Sequence, residues 1–126
     1  MINADEVKEI HRILIEKFGG SFGIRDLNIL ESALARPFST FDGKELYPTT
    51  IEKASALLES IVKNHPFIDG NKRVGYTLIR LLLLQNNLDI EATEEEKYFL
   101  IIEISKGNLN FQIIKEWLSL KVKDHK

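Results

Sequence analysis

His65, Asp69, Asn71, Lys72 and Arg73 fall within one short stretch, His65-Pro66-Phe67-Ile68-Asp69-Gly70-Asn71-Lys72-Arg73. Together they supply a base that titrates near neutrality, a carboxylate, a turn and two cations. Pro66 disfavours helical geometry at the residue before it, so an incoming helix ends near Asn64 or His65. Asp69-Gly70-Asn71 is a turn signal, and Asn71 is a candidate to cap a new helix through its side-chain oxygen. Lys72 and Arg73 then sit in the first helical turn, where the macrodipole favours anions by roughly 0.3–1 kcal/mol per group. Cations placed there ask for a compensating anion. A helix start also offers unpaired backbone N–H groups, so dipole and formal charge aim at one ligand, and the segment reads as a phosphate site. Asp69 beside it offers an oxygen ligand for a Mg²⁺ that bridges to the phosphate.

The elements that must position these residues are helical almost throughout. Asn3 caps a first helix with Asp5 and Glu6 in its opening turn and an apolar stripe Val7, Ile10, Leu14, Phe18, ending at Gly19-Gly20. A second runs from about Asp26 to Ala35 on Leu27, Leu30, Ala33 and Leu34, and Pro37 stops it. The third, about Thr50 to Asn64, carries Ile51, Ala54, Leu58 and Ile61. His65 continues that series, the place of a core histidine, but the residues after it supply a full phosphate site and outweigh the core reading. The fourth, Val74 to about Gln85, is apolar on nearly every side and is expected to be the central buried helix. Gly75 inside it implies that a neighbouring backbone packs close there. Thr93 and Glu96 form a capping box for a fifth helix ending near Lys106-Gly107, and Asn110 caps a last one through Ile113, Ile114, Trp117 and Leu118. Trp117 and the leucine stripes are assigned to the core. The Lys-rich tail from Lys121 is expected to fray.

One segment, 36–48, fits no helix: Pro37 and Pro48 lie near its ends and Asp42-Gly43 in its middle. It reads as a short hairpin flap, a lid or target-docking surface, or else as an irregular loop pinned by Phe38 and Phe41. Arg25 and Asp26 read as a surface pair and a helix cap. His11 and His125 have no partner at a recognisable spacing and receive no role.

At 126 residues with 44% hydrophobic and 29% charged composition, the chain is expected to form a single domain, 1–126, with a self-sufficient core. It has no Cys, which removes disulfides, thiolate zinc sites and cysteine nucleophiles and fits a reducing cytoplasm. A formal net charge of −2 argues against nucleic-acid binding as the main activity. No N-terminal signal is visible. The apolar run at Leu81–Leu84 is too short to span a bilayer.

The segment 65–73 resembles the signature of the Fic/Doc superfamily, His-x-Phe-x-Asp/Glu-Gly-Asn-x-Arg, and Lys72 after Asn71 looks like the Doc, or death-on-curing, toxin branch. Gly23-Ile24-Arg25-Asp26, the run Leu30 to Pro37, and Glu45-Leu46-Tyr47-Pro48 resemble the stretch ahead of the motif in Doc-like proteins, so the likeness covers about residues 20–90. The resemblance implies an all-α bundle of about six helices around a buried central helix. It also implies roles: His65 as the base that takes a proton from a target hydroxyl, Asp69 as the organiser of Mg²⁺, Phe67 as a core anchor. Gly70, Asn71 and the adjoining backbone would hold phosphate oxygens, and Lys72 and Arg73 would grip the triphosphate of ATP.

The departures from relatives that transfer AMP matter equally. Those resemble His-Pro-Phe-x-x-Gly-Asn-Gly-Arg-x-x-Arg, whereas this chain has Lys72 at the small glycine and Tyr76 at the second arginine. In Doc-like proteins the bulkier Lys goes with a reversed nucleotide whose γ-phosphate faces the base. The implied function is a toxin that phosphorylates a Ser or Thr hydroxyl of a translation factor, elongation factor Tu by the Doc resemblance. AMP transfer and a non-catalytic nucleotide- or antitoxin-binding module are the alternatives. Self-restrained relatives carry an inhibitory helix, Ser/Thr-x-x-x-Glu-Gly/Asn. The nearest match here, Ser55 to Glu59, is followed by Ser60 and lies in the third helix, so a separate Phd-like antitoxin that folds into a helix on this domain is expected.

Overall fold

Most helices begin at the side chain that the sequence marks for them. In the computed structural model, which describes residues 2–125, Asn3 accepts the Asp5 N–H and opens α1 (Ala4–Phe18). Asp26 accepts the Ile29 N–H and opens α2 (Leu27–Ala35). Reciprocal capping boxes, Thr49 with Glu52 and Thr93 with Glu96, open α3 (Thr50–Asn64) and α5 (Glu94–Ser105), and Asn110 opens α6 (Phe111–Lys121). These are local bonds, each satisfying an orphan amide of the first turn.

The exception is α4 (Asn71–Gln85). Its N-cap is Gly70, with φ 76° and no side-chain bond. Asn71 is therefore inside the helix rather than its cap. Four of the other five helices, α2, α4, α5 and α6, pack on α3, and α1 packs on α2 and α4. Small buried residues Ala54, Ser55, Ala56 and Ser60 let those neighbours close in from several sides. That corrects the expectation of α4 as the central helix: α4 lies along α3 but leaves Lys72, Arg73, Arg80 and Leu81 to solvent. The contact is tight at Gly75, where a Cβ would stand 3.1 Å from Val62 and 3.3 Å from Leu58. Burial of Leu58, Ile61, Ile79 and Leu83 at this seam contributes about 1.5–3 kcal/mol per side chain. Trp117 is only partly buried, packed against the core rather than within it.

Two short antiparallel ladders complete the fold. The segment after α2 makes a 3₁₀ turn (Arg36–Phe38) and a hairpin of β1 (Thr40–Phe41) and β2 (Lys44–Glu45), closed by Asp42 and Gly43, both at positive φ. Phe41 does not pin it, being 74% exposed. The second ladder corrects the expected fraying of the tail: β4 (Val122–Asp124) pairs with β3 (Leu88–Ile90) in the register Leu88↔Asp124 and Ile90↔Val122. Val122 is buried there, and the Lys121 ammonium pairs with Glu96 of α5. Among the described residues no helix is long and apolar enough to cross a membrane.

Candidate active site

The α3–α4 connection is held from outside by the segment between α1 and α2. Pro66 O accepts the N–H groups of Arg25 at 2.7 Å and Asp26 at 3.0 Å, and Ile68 N–H donates to Gly23 O at 3.1 Å. Among the described residues Arg25 forms no ion pair. Its Nε donates to His65 O at 2.6 Å and its Nη2 to Asn64 O at 2.7 Å, a cation on the last carbonyls of α3 where the helix dipole favours it. His65 itself is exposed and holds φ 50°, ψ 63°, a left-handed conformation that histidine adopts more readily than most residues. It is no core histidine.

Asn71 is 7% exposed, and its side chain closes the loop from within. The Phe67 N–H donates to Asn71 Oδ1 and Asn71 Nδ2 donates to Phe67 O, both at 2.9 Å. With both side-chain atoms engaged, what the start of α4 can still offer a ligand is backbone: the first helical amides lack intrahelical acceptors until Val74 N–H bonds to Gly70 O. Gly70 suits this turn because its φ is 76° and because a Cβ would meet Ile15 Cδ1 at 3.1 Å.

Asp69 accepts the Ser21 N–H at 3.0 Å and the Gly70 N–H at 2.8 Å. These amides, Ser21 first, hold its carboxyl below the usual carboxylate range. Gly20 permits the approach, since a Cβ there would lie 2.7 Å from Asp69 Oδ2. Each carboxylate oxygen keeps a further lone pair. Among the described residues no group of three His, Asp or Glu side chains could hold a metal. The Asp69 carboxylate, with lone pairs left beside the start of α4, fits a Mg²⁺ that takes one protein carboxylate and draws its other ligands from phosphate and water.

Lys72 and Arg73 are exposed and enter no ion pair among the described residues. Arg73 instead lies over Phe18, its guanidinium carbon 4.2 Å from the ring centroid. Phe18, the last member of the apolar stripe of α1, is thus half-exposed beside the site. An open cavity of about 880 Å³ gathers His65, Asp69, Gly70, Asn71, Lys72 and Arg73, so all the sequence-derived site residues meet in one place. Its other wall is α5, with Glu94, Glu95, Tyr98 and Ile101, alongside Tyr76 of α4. The hairpin contributes no residue to this cavity. Sequence reasoning missed the α5 wall, Phe18, Arg25 and His11. Only Arg25 carried a local signal, its place in the stretch ahead of the motif.

A cationic helix start beside an exposed imidazole and a carboxylate can bind a phosphate group and move a proton next to it. Comparison with known proteins gives the family. The model of the Fic/DOC family matches residues 1–83, from α1 into α4. A curated protein named Toxin Doc, from Mycolicibacterium smegmatis (strain ATCC 700084 / mc(2)155), is 40% identical over 75 residues, which is 60% of this chain and 58% of that protein. The matched segment therefore spans under two thirds of that relative's length.

Proposed function

The chain belongs to the Fic/DOC family, whose members transfer nucleotide-derived groups onto proteins, and on that premise we propose that it is the toxin of a toxin–antitoxin pair, an ATP-dependent phosphotransferase acting in the cytoplasm on a Ser or Thr hydroxyl of elongation factor Tu. The observation that carries the reading is the pair of unpaired cations, Lys72 and Arg73, on the open start of α4, with exposed His65 lining the same cavity.

In this reading His65 takes the proton of the target hydroxyl. The freed oxygen bonds to the γ-phosphorus, the bond from that phosphorus to the β–γ bridging oxygen breaks, and ADP leaves with the electron pair. Lys72, Arg73 and the first amides of α4 hold the phosphate oxygens through the step. Mg²⁺, when bound through Asp69, neutralises phosphate charge. Positioning and charge neutralisation supply most of what phosphoryl transfer needs. A neutral imidazole is a fitting base at physiological pH.

Tyr76 at the place of the second arginine supports γ-phosphate over AMP transfer. The antitoxin is proposed as a separate small chain because the nearest inhibitory-helix match is built into α3: Ser55 is buried and donates to Ile51 O at 2.8 Å, while Glu59 pairs with Arg36 and Lys63. The test uses purified elongation factor Tu with ATP labelled on either end. Label on the γ-phosphate is expected to reach the protein and label on the α-phosphate is not. Transfer of the α-label would establish AMP transfer instead. Lys72→Gly is expected to abolish γ-transfer, and only Lys72→Gly with Tyr76→Arg is expected to gain weak α-transfer.

A further inference from the structure

His11 is the buried titratable side chain that this chemistry leaves unused. It is 4% exposed, and its ring lies against Phe67 with centroids 3.9 Å apart and planes 7° from parallel. Its Nε2 is 2.8 Å from the carbonyl oxygen of Asp69. A carbonyl only accepts, so Nε2 carries the proton and donates. The neutral Nε2–H ring and the imidazolium both supply that donor.

The bond acts on the peptide plane that joins Asp69 to Gly70, because the Asp69 C=O and the Gly70 N–H are rigid parts of one unit. Fixing that oxygen fixes the N–H that donates to Asp69 Oδ1 at 2.8 Å. It also sets the direction in which Gly70 enters α4. Packing alone would be served by an apolar ring of similar size. A buried ring nitrogen is tolerated in return for a hydrogen bond, and here that bond goes to the one carboxylate-bearing residue of the motif.

Resting on the phosphotransferase reading of the site, we propose that His11 is a positioning residue: through the Asp69 carbonyl and the Phe67 ring it holds the Asp69–Gly70 peptide in the plane that presents the carboxylate and the first α4 amides to the same phosphate. Helix α1 thereby becomes part of the site's scaffold without touching substrate. Ile15 one turn on, against Gly70, and Ser21, on the carboxylate, continue the same support.

His11→Phe keeps the stacking ring and removes the donor, whereas His11→Gln keeps an N–H donor at about the reach of Nε2. With γ-labelled ATP, Mg²⁺ and elongation factor Tu, kcat of the Phe variant is expected to fall about 10- to 100-fold while KM for ATP changes by less than about threefold, the signature of a small misplacement. His11→Gln is expected to recover most of that loss. In the protein without nucleotide, hydrogen exchange at the Ser21 and Gly70 amides is expected to speed up in the Phe variant and to return toward the unmodified rate in the Gln variant. Should the Phe variant fail to fold, ring-nitrogen NMR of the unmodified protein decides: a protonated, slowly exchanging Nε2 on His11 supports the proposal, and an unprotonated Nε2 overturns it. Unchanged kcat and amide exchange in His11→Phe, or equal losses in the Phe and Gln variants, also overturn it. If the unmodified protein transfers no phosphate at all, the phosphotransferase reading fails, while the exchange and NMR measurements still decide the hold of His11 on the peptide.

Discussion

The connection at 65–70 and the hairpin at 39–46 both join helices, both turn on a glycine at positive φ, and both leave a side chain in solvent, His65 in one and Phe41 in the other. They differ in who holds them. The connection is fastened by residues far away in the chain: Arg25 on His65 O, His11 on Asp69 O, Ser21 on the Asp69 carboxylate. Among the described residues the hairpin is fastened at its base, where Arg36 donates to Tyr47 Oη and Ser60 Oγ and Lys53 reaches Glu45. A rigid turn can keep a base and an anion cradle in mutual register. A turn tethered only at its base can adapt to a surface that meets it.

The largest effect that could break this contrast is at the base. His65→Ala is expected to lower phosphoryl transfer by about 10²–10⁴-fold with far-UV circular dichroism unchanged. Turnover within about threefold of the unmodified protein would remove His65 from the chemistry. Next comes the inner fastening: Asn71→Leu leaves the Phe67 N–H and C=O unpaired and is expected to lower unfolding stability by about 2–4 kcal/mol, read as a shift of the urea midpoint. The outer fastening is weaker. Arg25→Ala removes bonds to two exposed α3 carbonyls and should cost about 1 kcal/mol in the same titration.

Acid sharpens the contrast from another side. The Asp69 carboxyl is held below its ordinary 3.8, chiefly by the Ser21 amide and then by that of Gly70. Its contribution is therefore full above about pH 4 and disappears as pH falls through the lower, folded-state value. Urea midpoints measured from pH 5 downward are expected to fall less steeply in Asp69→Asn than in the unmodified protein, and parallel curves would refute the linkage. The smallest effect belongs to the hairpin tip: Phe41→Ser should change stability by less than about 0.5 kcal/mol. If Phe41 docks the target, the same variant raises KM for the protein substrate with KM for ATP unchanged.

These same bonds explain what could be read from the sequence. Asn3, Asp26, the Thr93–Glu96 capping box and Asn110 announce their helices because each acts within three residues of itself; the Thr49–Glu52 box acts over the same range and went unread. The residues that line one cavity were legible as a group because His65 and the run 69–73 are nearly contiguous in the chain. His11 lies 58 positions from Asp69 and Arg25 lies 40 from His65, and no periodicity carries such a pairing. Asn71 was misjudged as a cap because a glycine in the left-handed region can begin a helix without a side-chain cap, freeing the next residue to bond backward. The place of Phe18 beside Arg73 was not legible because an apolar stripe does not say where it leaves the core. The β3–β4 ladder joins segments too short to signal strands on their own.

That ladder has a consequence for how the molecule comes into being. The Arg80–Asp89 ion pair and the Asn87–His125 backbone bond tie the far end of α4 to β3 and to the segment after β4. A ribosome adding about 5–20 residues per second releases His65 through Arg73 seconds before it releases Val122. During that interval the motif-bearing helix exists without the strand that closes behind it. Synthesis order therefore delivers the 65–73 segment before the strand that pairs behind its helix, so a growing chain can close the β3–β4 ladder only after Val122 to Asp124 are free to pair.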